Sequence, residues 1–71
     1  MRLNLKLLRV QNNLTQEEFA EKVGVSRGVY SNIENSKVNG TMIFWDNVQK
    51  AFEVPDEKMY SLMKNDERTG E

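Results

Sequence analysis

The stretch Thr15 to Asn35, TQEEFAEKVGVSRGVYSNIEN, leaves this chain few choices of fold. Thr15 followed by Glu18 fits a capping box, in which a hydroxyl and a carboxylate each satisfy one orphan amide at a helix start. Phe19, Ala20 and Val23 then line one side of a helix about two turns long. Gly24 supplies the backbone freedom that ends it. Val25 fills the turn and Ser26 is a good N-cap. Val29, Tyr30 and Ile33 give a second apolar face.

Two helices this short, joined by a turn containing Gly, make a helix-turn-helix arrangement. The flanks add three more helices. Residues 2–12 read as a helix with Leu5 and Leu8 inward and Leu3 able to join them, ended by Asn13, which tolerates positive φ. After Asn35, Ser36 to Gly40 has turn composition without periodicity. Thr41 can cap a helix on which Met42, Trp45, Val48 and Phe52 recur inward. Pro55 suits a first turn, with Asp56 and Glu57 at the positive end of the next dipole. Met59, Leu62 and Met63 form its inward side. The expectation is a compact all-α domain of five helices, about 2–12, 16–23, 27–35, 41–52 and 56–64. It occupies residues 1–64, and 65–71 form a polar, fraying tail.

Seventy-one residues make one domain with a core near the lower limit for unaided folding. The chain has no Cys and no His, which removes disulfides, thiolate sites and the commonest acid-base and metal-binding side chain. No metal, cofactor or small-molecule ligand is expected. No apolar run approaches the roughly 18 residues of a membrane span and no secretory pattern opens the chain, so the expectation is a cytoplasmic protein. Net charge is −1, which does not advertise nucleic acid. Its distribution is uneven: residues 1–37 carry six Lys/Arg against four acids, and residues 38–71 carry four against seven. A DNA-facing side is permitted, but the field is weak.

Taken together and in order, several short matches carry a resemblance. They are Leu8-Arg9, Leu14-Thr15-Gln16-Glu17-Glu18, Ala20, Gly24-Val25-Ser26, Ile33-Glu34-Asn35, Lys37, Ala51-Phe52 and Val54. With this spacing the chain resembles the Xre, or Cro/phage-repressor, helix-turn-helix family from about Leu5 to Leu62. The resemblance implies a bacterial or phage DNA-binding regulator. Two departures stand out. The family often has Gly where this chain has Asn13, Ser36 and Glu53. It usually carries basic or Pro residues where this chain has Val38, Asn39 and Gly40, leaving fewer charges for phosphate.

A helix-turn-helix offers the N-terminal part of its second helix to base edges in the major groove. Arg27 and Gly28 are the first exposed positions after Ser26, and Ser31 and Asn32 lie one turn on. Arg27 suits guanine O6 and N7; Asn32 suits adenine N6 and N7. Gly28 permits close approach of backbone to DNA. Ser26 and Gln16 open helices whose free amides can meet phosphate, and the resemblance implies that role for Gln16. Asn35, Lys37, Asn39 and Thr41 form a second candidate backbone clamp. The resemblance also implies an ion pair between Arg9 and Glu34 that pins the recognition helix. Glu17, Glu18 and Glu21 have neither nucleophile nor metal ligand beside them and read as a solvated face.

Leu3, Leu7 and Val10 make an apolar stripe, and Ile43 and Phe44 fall off the inward side of their helix. These are candidates for self-association. The leading expectation is therefore a stand-alone regulator of double-stranded DNA, most simply a dimeric repressor. The alternative is a protein-interaction module of the same fold, bound to a protein partner and with reduced DNA binding. No constellation supports an enzyme.

Overall fold

A computed structural model describes residues 1–65. Within it the chain forms α1 (Leu3–Gln11), α2 (Gln16–Val23), α3 (Arg27–Glu34), α4 (Met42–Phe52) and α5 (Asp56–Met63), with no strand among the described residues. The expected polar tail lies almost wholly outside the described residues, which stop at Asn65.

The helix boundaries follow from local chemistry. Thr15 Oγ1 accepts from the Glu18 amide at 3.1 Å and Glu18 Oε1 accepts from the Thr15 amide at 2.9 Å, completing the capping box of α2. Ser26 caps α3 through the Val29 amide and Thr41 caps α4 through the Phe44 amide. Gly24 ends α2 at φ 78°, in the left-handed region that glycine enters freely. Gly40 is required for a second reason. A Cβ there would lie 3.0 Å from Trp45 Nε1 and 3.4 Å from both Ile33 and Phe44. Three other residues adopt positive φ without being glycine: Asn13, Ser36 and Glu53. These are the positions at which the resembling family often has Gly.

The core joins Leu5, Phe19, Ala20, Val23, Tyr30, Ile33, Phe44, Trp45, Val48 and Leu62. Aromatic rings run through it as a chain. Phe52 stacks on Phe19 at 4.7 Å, Phe19 meets Tyr30 at 4.7 Å, Tyr30 faces Phe44 at 6.4 Å, and Phe44 meets Trp45 edge-on at 4.9 Å. Such pairs add to area burial and fix the relative rotation of α2, α3 and α4.

Several side chains face differently from the sequence expectation. Phe44, expected on the surface as part of a self-association patch, is only 2% exposed, whereas Met42, expected inward, is 83% exposed. The small Gly40 leaves room that Phe44 and Trp45 fill, so the buried side of α4 is turned away from Met42. Val29, expected inward, is 45% exposed. Glu34 takes its share of the buried side because Arg9 receives its carboxylate, rotating α3 away from Val29. Leu3 and Met63 lie on the rim of the core rather than in it.

Candidate nucleic-acid interface

α3 has two chemically distinct sides. Tyr30, Ile33 and Glu34 are buried, while Arg27, Gly28, Val29 and Asn32 are exposed and Ser31 is half-buried. Among the described residues, three of the four candidate base readers, Arg27, Gly28 and Asn32, are thus left exposed, and Ser31 is partly covered. No neighbouring atom lies within 4 Å of a Cβ placed on Gly28, so internal packing gives no reason for glycine there. Val29 joins the outward side. Sequence periodicity missed it because an apolar residue near other apolar residues reads as core.

The inward side is fixed by a polar network. Glu34, only 1% exposed, accepts from Arg9 Nη2 at 3.3 Å through Oε2 and from Gln16 Nε2 at 3.1 Å through Oε1. Arg9 Nη1 also donates to the Leu14 carbonyl at 2.9 Å. One carboxylate thus ties the end of α3 to α1 and to the first residue of α2. Leaving either ion-pair partner alone would strand a buried charge. Beside it, the buried Tyr30 hydroxyl lies close to both Arg9 and Glu34 but makes no well-formed hydrogen bond among the described residues. Its pKa is raised, first by burial and then by the charge of Glu34.

The candidate backbone-contacting residues fall into two groups. Gln16 and Ser26 open α2 and α3, where amides of the first turn lack intrahelical partners. Gln16 spends one side-chain N–H on Glu34, and its amide nitrogen carries a second. Ser26 Oγ accepts the cap bond, and its hydroxyl proton is still available as a donor. Asn35, Lys37, Asn39 and Thr41 form the second group, on the turn between α3 and α4. There the Lys37 amide donates to the Asn32 carbonyl at 2.8 Å and Asn35 Nδ2 to Ser31 Oγ at 3.4 Å. The Asn39 carbonyl accepts from Trp45 Nε1 at 3.0 Å.

Two positioning contacts carried no sequence signal. Asn47 Nδ2 donates to the Val23 carbonyl at 3.1 Å, holding α4 against the end of α2. Arg2 is buried, at 5% exposure, so its guanidinium is not presented at the surface for a direct contact with phosphate. Among the described residues no group of three acidic side chains is placed to hold a metal, and no helix is long and apolar enough to cross a membrane.

Comparison with known proteins agrees with this geometry. The helix-turn-helix family model matches residues 5–57, which include all of α2, α3 and α4. An uncharacterized HTH-type transcriptional regulator of Methanocaldococcus jannaschii is 36% identical over 67 residues, covering 94% of this chain and 100% of that protein. The antitoxin HipB of Escherichia coli K12 is 36% identical over 50 residues, or 70% of this chain and 57% of that protein. HipB of a second E. coli strain is 34% identical over 50 residues, with 53% of its length covered. The match thus spans little more than half of these E. coli relatives. No solved structure matches the chain. With the matched residues building the capped α2–α3 pair and its exposed outer side, the chain belongs to the Xre/Cro-type helix-turn-helix family, a family of DNA-binding regulators.

Proposed function

We propose that this chain is a sequence-specific regulator of transcription that places α3 in the major groove of double-stranded DNA and acts as a repressor by occluding a promoter. The observation that supports the reading is the two-sidedness of α3: a clamped inner side and an outer side on which Arg27, Gly28 and Asn32 are exposed among the described residues, with Ser31 half-buried at its edge. Arg27 supplies a bidentate donor for guanine and Asn32 a donor-acceptor pair for adenine, each worth about 1–3 kcal/mol of discrimination. Val29 offers an apolar contact of the kind that suits a thymine methyl group. Gln16, Ser26, Asn35, Lys37, Asn39 and Thr41 set the register on the phosphates.

Helix-turn-helix dimers bind two half-sites one DNA turn apart, and a homodimer is part of the proposal. Exposed Leu3, Leu7 and Val10 on α1 and Ile43 on α4 are its candidate surface. A chain that sediments as a monomer both alone and on DNA would remove the dimer from the reading.

Gly28 gives an unusual test. Gly28→Ala should stabilise the free protein by less than about 1 kcal/mol, the cost of glycine in a helix interior, because Gly28 stands in the first turn of α3 and the added methyl meets nothing. The same variant should bind DNA more weakly if backbone approaches the duplex there. Arg27→Ala and Asn32→Ala should each relax base preference at one position without loss of stability. Unchanged binding in all three variants contradicts the reading.

A second reading keeps the fold but makes protein the partner and reduces DNA binding. The internal placement of Arg2 and Arg9 favours it, since two of six cations in the first half face inward. The name of one relative, antitoxin, extends this reading to a partnered role. Titration with a duplex at several salt concentrations separates the two. DNA binding should weaken steeply with salt through counterion release, and a flat or absent response favours the interaction module.

A further inference from the structure

Among the described residues, Arg2 is the one buried cation that the network around Glu34 does not use. Its guanidinium donates from Nη1 to the carbonyls of Ile33 at 2.6 Å and Val38 at 3.1 Å. Nε donates to the carbonyl of Met63 at 2.9 Å, and Nη2 reaches Asn39 Oδ1 at 3.5 Å. Its own amide donates to the Glu34 carbonyl at 2.7 Å. The ring of Trp45 lies 5.6 Å below the guanidinium carbon. None of these acceptors is a carboxylate.

Ile33 and Met63 are in the last turns of α3 and α5, where carbonyls lack intrahelical partners and carry the negative end of the helix dipole. Arg2 therefore neutralises two helix ends at once. The Val38 and Asn39 contacts then draw the α3–α4 turn onto the same group. Asn39 is held from the other side through the bond from Trp45 to its carbonyl. The turn so gripped carries Lys37 and the other candidate phosphate-contacting residues.

We infer that Arg2 is a positioning residue for DNA binding: by holding the carbonyls of Ile33 and Val38 and the side chain of Asn39, it sets the α3–α4 turn so that Lys37 and its neighbours meet the phosphate backbone. The inference rests on the DNA-binding reading above. Arg2 itself touches no DNA, being enclosed by its own chain. The fork of the guanidinium is what the role requires. A lysine keeps the charge but brings a single nitrogen, which cannot span two carbonyls and an amide.

The test uses the full chain, its Arg2→Lys and Arg2→Met variants, and a mixed-sequence duplex about two helical turns long, since phosphate contacts are sequence-independent. Hydrogen exchange should speed up at the Lys37 and Val38 amides, both bonded to the Asn32 carbonyl, and remain unchanged within α2. In DNA titrations Lys37→Ala should weaken binding in the wild type but roughly tenfold less in either Arg2 background, because the two residues act through one turn. Arg27→Ala should add independently. Arg2→Lys keeps the charge and secures the test if Arg2→Met does not fold. Unaltered loop exchange overturns the inference, as does equal coupling of Arg2 to Arg27 and Lys37, which would make it a general scaffold residue. A wild type that binds no duplex removes the DNA reading and the phosphate half of this inference with it. The exchange data then decide separately whether Arg2 sets the turn.

Discussion

Arg9 meets a carboxylate, Glu34, whereas Arg2 meets carbonyl groups and an amide, yet both brace the C-terminal half of α3. The first is a pairing of opposite charges, with Gln16 attached to the second carboxylate oxygen. The second compensates a buried cation with helix-end dipoles and an aromatic face. Burial lowers the Arg2 pKa because the charged form loses water, but a guanidinium has range to spare and stays protonated. The contrast shows two ways to fix one helix without using its outer side. It also shows that a near-neutral chain can belong to a DNA-binding family while turning two arginines inward.

The two braces should fail differently. Glu34→Gln leaves Arg9 without its counter-charge in a site that is mostly enclosed, and should cost about 3 kcal/mol of unfolding free energy. Glu57→Gln, at the exposed start of α5, should stay within about 0.5 kcal/mol of the wild type. Denaturant midpoints at unchanged slope measure both, and equal midpoints would contradict the ion-pair account. Next in size is the strain at the turns. Glu53→Gly should stabilise by about 1 kcal/mol, since φ 52° is unfavourable for a residue with a Cβ. Ser36→Gly, in the turn that Arg2 holds, should gain less. It gives up the bond from Ser36 Oγ to Asn65 Oδ1 along with the strain at φ 65°. Equal gains would mean that this bond contributes nothing.

The smallest effect concerns Tyr30, which sits on the Arg9 side of the comparison. Its hydroxyl makes no well-formed hydrogen bond among the described residues, so Tyr30→Phe should change neutral-pH stability by less than about 1 kcal/mol. The pKa of Tyr30 is raised in the folded state, so above about pH 10 the unfolded chain loses a proton that the folded one keeps. Stability is therefore fully present below that pH and declines as pH rises further. Tyr30→Phe should flatten this alkaline decline, and identical pH profiles would contradict the assignment.

Much of this was readable from residue order. Caps and glycines are local, and Thr15, Glu18, Gly24, Ser26 and Thr41 act on backbone within four residues of themselves. Helix rotation is not local. Periodicity placed Val29 and Met42 inward because it counts apolar residues and cannot see that Glu34 is buried by Arg9 or that Gly40 opens space for Phe44. Arg2 was least legible of all. Its partners are mainly carbonyls of residues 31, 36 and 61 positions away, and carbonyls carry no sequence signature. The departures from Gly at Asn13, Ser36 and Glu53 had the opposite character: all three positions retain the left-handed backbone that glycine would adopt.

The central claim is that the outer side of α3, and the turn braced behind it, form the surface that meets DNA. The most direct measurement is an amide chemical-shift map of the chain titrated with duplex DNA. The account predicts that the largest changes cluster at Arg27, Gly28, Ser31 and Asn32 and along residues 35–41, with the Tyr60 side of α5 unmoved. Changes centred on α4 and α5, with α3 unaffected, would contradict it.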